Sequence, residues 1–212
     1  MIEELPRVIE EAPDRPGPRE GAERIRAVTR GIAFEPESWT PERAAKVAQL
    51  FDGMAPEWST QRRIASMDPL RDALARGRVP SGLCVELGSG TGSASSILSE
   101  RFRRVVSMDL SMEMLRHAPT DGPPRVCADG ARLPLADGAA KVLVLVNAFL
   151  FPREVDRVLA SGGVVVWVSS SADRTPIYLP AEDVAQALPG TWSGSAALAG
   201  WGSWCVLTRH PL

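Results

Sequence analysis

One stretch constrains the chain above all others: Leu83–Cys84–Val85–Glu86–Leu87–Gly88–Ser89–Gly90–Thr91–Gly92. It is an apolar strand that stops at an acid and enters a glycine-rich turn. Ser93 to Phe102 has the make-up of a helix, and Arg104–Val105–Val106–Ser107–Met108–Asp109 that of a second strand ending in a second acid. Strand, tight turn, helix, strand is the βαβ unit of a nucleotide-type fold. Glycine is needed where φ is positive or where a ligand approaches the main chain closely. Three glycines at alternate positions therefore bare the backbone at the mouth of the sheet. The dinucleotide fingerprint G-x-G-x-x-G/A asks for a third small residue; here that position is Ser93, and the run is G-x-G-x-G.

The remainder is long enough to build a fold around this unit. Its 212 residues allow one sizeable domain with a full core and a smaller appendage. A net charge of −2 offers no basic excess for nucleic acid or an anionic membrane. The longest apolar run, Val142–Ala148 with Asn147 inside it, is about seven residues, far short of the ~20 that span a bilayer. Met1–Ile2–Glu3–Glu4 lacks the basic and apolar regions of a signal peptide. A cytoplasmic protein without membrane association is expected. Cys84, Cys127 and Cys205 lie far apart in apolar runs, without metal-ligand spacing, and are expected to be free thiols. No metal site is expected.

Along the chain, residues 1–20 hold four prolines among charges and are expected to be flexible. Residues 21–80 read as a helical lead-in or lid. A short helix is possible from Glu20 to Arg30. Thr40 is an N-cap, with Pro41 at the first helical position. The helix from Pro41 to Phe51 carries Ala44, Val47, Ala48 and Phe51 on one face. Asp52–Gly53 and Pro56 are expected to break it before a second helix at about Ser59–Arg76, striped by Ile64, Met67, Leu70 and Leu74. Residues 81–212 form the α/β core: strands at Arg125–Asp129, Lys141–Val146 and Val164–Ser169, with helices at Leu110–Leu115 (Ser111 as N-cap), Pro152–Leu159 and Ala181–Leu188. Trp192–Leu198 and Trp201–Thr208 flank Ala199–Gly200 as a hairpin. The expected fold is Rossmann-like: a three-layer α/β/α sandwich on a seven-stranded, mostly parallel sheet with an antiparallel last strand.

Glu86, Asp109 and Asp129 each close one of three successive strands, on the rim where open α/β sheets bind ligands. Carboxylates accept from hydroxyl and N–H donors, and three together suit a cationic ligand with a ribose and an exocyclic amine. They suit a pyrophosphate badly, because like charges would be desolvated together. S-adenosylmethionine has the required groups, and NAD fits less well.

The pieces V-E-L-G-S-G-T-G (85–92), D-L-S-M-E-M-L (109–115), A-D-G-A-R-L-P-L-A-D-G (128–138) and E-V-D-R-V-L-A-S-G-G (154–163) come in order and at the right intervals. In them the chain resembles the class I S-adenosylmethionine-dependent methyltransferases of the small-molecule type. The resemblance implies that Glu86 helps hold the methionine ammonium and that Gly88, Ser89 and Gly90 line the cofactor. It implies that Asp109 takes the ribose hydroxyls, Leu110 and Met114 pack on the adenine beside Gly130, and Asp129 accepts from the adenine amine. Asn147 would lie by the methionine moiety, facing the acceptor. Met114 is also readable as plain core, and Asn147 as a helix cap. Relatives often open the fourth strand with an aromatic–Asp pair; here Ala140–Lys141 stands there.

Methyl transfer from a sulfonium chiefly requires alignment and exclusion of water. No side chain stands out as a general base; Tyr178 and Asp173 are the candidates. Trp39, Trp58, Tyr178 and Trp192 are candidates to line an acceptor site. The [DN]-P-P-[FY] run of amino-methylating nucleic-acid enzymes is replaced by Asn147–Ala148–Phe149–Leu150, and no Pro–Cys pair serves cytosine chemistry. The metal-dependent catechol type wants carboxylates where Asn147 and Ser169–Ser171 stand. The expected activity is metal-free methyl transfer to a small-molecule acceptor. The alternatives are a non-catalytic protein that binds S-adenosylmethionine or S-adenosylhomocysteine in a regulatory or scaffold role, and an NAD-type oxidoreductase. The sequence leaves the oligomeric state open.

Overall fold

The computed structural model describes residues 1–13, 17, 21–61 and 67–210, the side chains of 59–61 excepted. Chain order begins with strand β1 (Ile2–Glu4), then helices α1 (Ala22–Phe34), α2 (Pro41–Gln61) and α3 (Asp68–Arg76). The alternating part follows as β2 (Leu83–Leu87), α4 (Ser95–Arg101), β3 (Arg104–Asp109), α5 (Met112–Arg116), β4 (Arg125–Cys127), β5 (Ala140–Val146), α6 (Pro152–Val158) and β6 (Leu159–Ser169). It ends with α7 (Ala181–Ala187) and the hairpin β7 (Trp192–Ala199) and β8 (Gly202–Arg209).

The strands form one eight-stranded sheet in the order β1-β7-β8-β6-β5-β2-β3-β4. Every pairing is parallel except those of β8, which runs antiparallel to both β6 and β7. The order turns back at β2 and β5, and that switch point is where a crevice opens beyond the strand ends. Side chains alternate across the sheet. Val85, Leu87, Leu143 and Leu145 face one core with α6 and α7; Cys84, Val142 and Val144 face the other with α3 and α4. β5 is buried on both faces, as its continuous apolar run requires.

Two expectations need correction. Residues 1–20 are not flexible throughout: Ile2–Glu4 adds an eighth strand to the edge, in register with Gly194–Ala196. Leu5 N–H continues the ladder to the Ala196 carbonyl at 2.8 Å. Backbone pairing stabilises a segment whose side chains bury little. The second is the break at Asp52–Pro56, which does not occur. α2 runs unbroken through Gly53 and Pro56, because Ala44, Val47, Phe51, Ala55 and Trp58 continue one inward face at helical spacing. The next helix starts at Asp68, not at Ser59; Ile64 falls outside the described residues. Thr40 caps α2, accepting from Arg43 N–H at 3.2 Å, and Ser111 caps α5, accepting from Met114 N–H at 3.0 Å.

Candidate functional site

The crevice at the switch point is a cavity floored by residues 86–90 and Asp109–Leu110, walled by Ala128, Gly130 and Asn147–Phe149, and covered by α2 through Val47, Phe51 and Trp58. Gly88 and Gly90 adopt φ of 69° and 55°, where an L side chain is strained. At Gly88 space forbids one too: a Cβ would stand 2.5 Å from the Ala148 Cβ, where the turns after β2 and β5 meet.

Glu86 is 2% exposed. Strand alternation turns it, with Cys84, toward α4. There Ser95 and Ser107 hydroxyls each donate to its Oε2 at 2.6 Å. Burial pushes its carboxyl up to about 7, against those two hydrogen bonds, and the nearby Asp109 adds to the rise. Asp109 closes the first turn of the loop: its Oδ2 accepts from Gly90 N–H at 2.7 Å and its Oδ1 from Ser111 N–H at 2.8 Å. Burial raises its pKa, the backbone donors oppose the rise, and Asp52 adds to it. Ser89 Oγ is buried with no hydrogen-bond partner among the described residues.

Asn147 has φ of 51°, a left-handed conformation that Asn tolerates better than most residues. A reciprocal bridge holds it: its Nδ2 donates to Ser170 Oγ, and Ser170 N–H donates to its Oδ1, both at 2.9 Å. The bridge ties the ends of β5 and β6 together. Leu110 and Met114 line the cavity beside Gly130. A Cβ on Gly130 would meet the Phe151 ring at 2.7 Å.

Asp129 does not line the cavity. Both its oxygens accept from the Trp39 indole N–H, at 3.0 and 3.1 Å, and Oδ1 also accepts from Ala131 N–H at 2.9 Å. Trp39 itself does line it, edge-on to Phe151 with centroids 5.1 Å apart and 6.1 Å from Phe149. Tyr178 lies elsewhere, in a separate cleft with Glu4 and Trp167. Asp173 sits on the short turn after β6, its carbonyl taking a hydrogen bond from Arg26, and neither it nor Tyr178 reaches the cavity. Of the four aromatic candidates, Trp39 and Trp58 line the cavity and Trp192 is core.

Sequence reasoning missed Phe51, Phe149 and Phe151. The last two follow Asn147 at alternate positions, a signal that was available. It also missed Asp52, which reaches from α2 to accept from the Ser111 hydroxyl at 2.5 Å and Glu113 N–H at 3.2 Å. Cys84 and Cys205 are buried free thiols, and Cys127 is free and exposed. Among the described residues no group of three or more His, Cys, Asp or Glu is placed to hold a metal ion, and no helix is long and apolar enough to cross a membrane.

A family model described as a methyltransferase domain matches residues 85–167. Among curated proteins the chain is similar to a malonyl-[acyl-carrier protein] O-methyltransferase of Marinomonas sp. (strain MWYL1). The two are 31% identical over 150 residues, covering 64% of this chain and 53% of that protein. It is similar also to a demethylmenaquinone methyltransferase of Corynebacterium urealyticum, 28% identical over 145 residues, 62% of each chain. The chain thus spans between about half and under two thirds of the length of these two curated relatives. Among solved structures, the DhpI–SAH complex superposes with a TM-score of 0.63 at 20% identity, covering 78% of this chain and 96% of that one. The [4+2]-cyclase SpnF superposes with a TM-score of 0.57 at 18% identity, covering 70% and 75%. At those identities the likeness is one of fold.

Proposed function

We propose that the chain, which belongs to the class I S-adenosylmethionine-dependent methyltransferases, transfers a methyl group from S-adenosylmethionine to a small-molecule acceptor without a metal. The observation that carries this reading is the pairing of Glu86 and Asp109, a buried and a half-buried carboxylate on adjacent strand ends, beneath a glycine turn with positive φ. Buried acids seek cations and hydrogen-bond donors. The buried Ser89 hydroxyl is a further polar atom for a ligand to satisfy. The relatives carry names for two different acceptors, a malonyl acyl-carrier protein and demethylmenaquinone. They support methyl transfer and leave the acceptor to the shape and chemistry of this cavity.

When bound, the cofactor supplies an electrophilic methyl on sulfur with a neutral leaving group. Glu86 takes the ammonium, with Ser95 and Ser107 fixing one of its oxygens. Asp109 takes the ribose hydroxyls through lone pairs that its two backbone donors leave over. Gly88 and Gly90 let the ligand approach the main chain, Leu110, Met114 and Gly130 enclose the adenine, and Asn147 borders the methionine end. Asp129, which does not line the cavity, holds the Trp39 indole at its wall rather than meeting the cofactor. In this reading residues 21–80 contribute a lid, of which α2 is the working part, and residues 81–212 are the catalytic core. α3 is bedded in the sheet, with Leu70 and Ala73 fully buried.

Incubation of the protein with methyl-labelled S-adenosylmethionine and a low-molecular-mass cell extract tests the assignment. We expect label in a small-molecule fraction, abolished with Asp109→Ala. Cofactor binding with no transfer to any fraction would reduce the protein to a binding role.

A further inference from the structure

The cavity's walls and its stock of proton acceptors bear on the acceptor. Phe51 and Trp58 meet edge-on at 5.7 Å and 79°, on the helix that covers the glycine turn. The nearest side-chain atom to a Cβ built on Gly90 is Trp58 Nε1, at 3.5 Å. Phe149 stands two residues past Asn147, and Ile177 also lines the cavity. These surfaces favour a flat, apolar molecule.

The proton acceptors lie elsewhere. His117 is exposed at the end of α5, its Nδ1 2.9 Å from the Glu113 carbonyl, and His210 is exposed beyond β8. Lys46 is exposed on α2, and Lys141 donates to the Ser161 carbonyl at 2.7 Å. Tyr178 lines the other cleft. Cys84 and Cys205 are buried thiols whose pKa burial raises, and Cys127 is not among the cavity's walls. Residues 59–66, which follow Trp58 in sequence, contain no Asp, Glu, His, Lys, Cys or Tyr. The titratable groups of the described lining are Glu86 and Asp109, both engaged on the cofactor side.

We propose that the acceptor is a flat, apolar aromatic hydroxyl compound acidic enough to ionise unaided, and that the cavity methylates its oxygen without an enzymic base. This rests on the methyl-transfer reading above. Whereas a carboxylate or phosphate enters charged, past Glu86 and Asp109, an aryl hydroxyl can enter in its uncharged form and lose its proton at the site. Its O–H proton goes to water. The oxygen lone pair forms the bond to the methyl carbon as the C–S bond breaks, and that bonding pair goes to sulfur. The products are an aryl methyl ether, a neutral thioether and one proton. A base is needed only where the nucleophile is weakly acidic, and alignment supplies the remainder.

The test uses the full chain with nitrophenols, naphthols and hydroxyquinolines of graded acidity, plus the matching benzoates and naphthoates. Methyl ether is expected from the hydroxyl compounds, with a kcat/KM that rises with pH at a midpoint tracking each acceptor's own pKa. In calorimetry on the protein loaded with S-adenosylhomocysteine, at a pH below the hydroxyl compounds' own pKa values, the carboxylates are expected to bind at least about tenfold more weakly than the hydroxyl compounds. Phe149→Ala is expected to raise KM for bicyclic acceptors about tenfold. If S-adenosylhomocysteine binds but no hydroxyl compound is methylated, or the midpoint stays fixed for every acceptor, or carboxylates bind equally well, the proposal is overturned and the methyl-transfer reading survives. If S-adenosylhomocysteine does not bind, both fall.

Discussion

Glu86 shows how one residue links fold to ligand. Its carboxyl is pushed up to about 7 from an ordinary 4.5, so the unliganded fold favours the protonated form. The stability this group contributes is fully present below the unfolded value and is lost as pH rises through about 7. A bound ammonium reverses the preference, because it favours the carboxylate. Affinity for S-adenosylhomocysteine is therefore expected to rise as pH increases through about 7, and Glu86→Gln is expected to flatten that rise and weaken binding; calorimetry across pH checks both. Trp39 gives a second case. Trp39→Phe keeps the ring beside Phe151 but removes the donor to Asp129, and a lost hydrogen bond to a charged group costs about 1.5–3 kcal/mol. Urea unfolding is expected to show a loss in that range. The acids were legible in the sequence because strand ends and the glycine turn fix their positions. Their partners were not: Ser95 and Ser107 reach Glu86 from other elements, and Trp39 meets Asp129 across 90 residues of sequence. Local pattern carries no signal for such contacts.

Elements show where punctuation residues mislead. Gly53 and Pro56 in sequence argue for a break, since Pro removes a backbone donor and crowds the preceding turn. The inward apolar face of α2 outweighs that cost. Its Asp52 side chain docks on the N-terminus of α5, where orphan N–H groups and the helix dipole favour an acid. Asp52→Ala is expected to lower stability by about 1–2 kcal/mol, read as a lower urea midpoint, and to speed proteolysis within α2. The terminal hairpin was the more legible element: β7 and β8 pair as the Ala199–Gly200 signal predicts, and Gly200 takes φ of 53° at the turn. Gly194 has a separate reason to be glycine. A Cβ there would lie 1.8 Å from the Val206 carbonyl oxygen. Gly194→Ala is expected to cost several kcal/mol, at ~2–4 °C of Tm for each in a chain of this size.

The whole molecule is a parallel sheet closed on one side by antiparallel β8 and, beyond it, by β7 and β1. The central strands were readable from their continuous apolar runs. β1 was not, because Ile2–Glu4 offers the sheet its backbone and few side-chain contacts. Removing residues 1–5 is expected to leave β7 as a bare edge, open to pairing with another chain, and to raise light scattering on heating while the far-ultraviolet spectrum stays that of an α/β protein. Cofactor binding at the distant switch point is expected to survive that truncation. The central claim, that Glu86 and Asp109 make the switch-point cavity a site for S-adenosylmethionine, is tested most directly by titrating the intact chain with S-adenosylhomocysteine in a calorimeter. A saturable one-to-one isotherm, weakened at least about tenfold by Asp109→Ala, is the predicted result. No detectable heat with a folded protein, or an isotherm unchanged by that substitution, would contradict it.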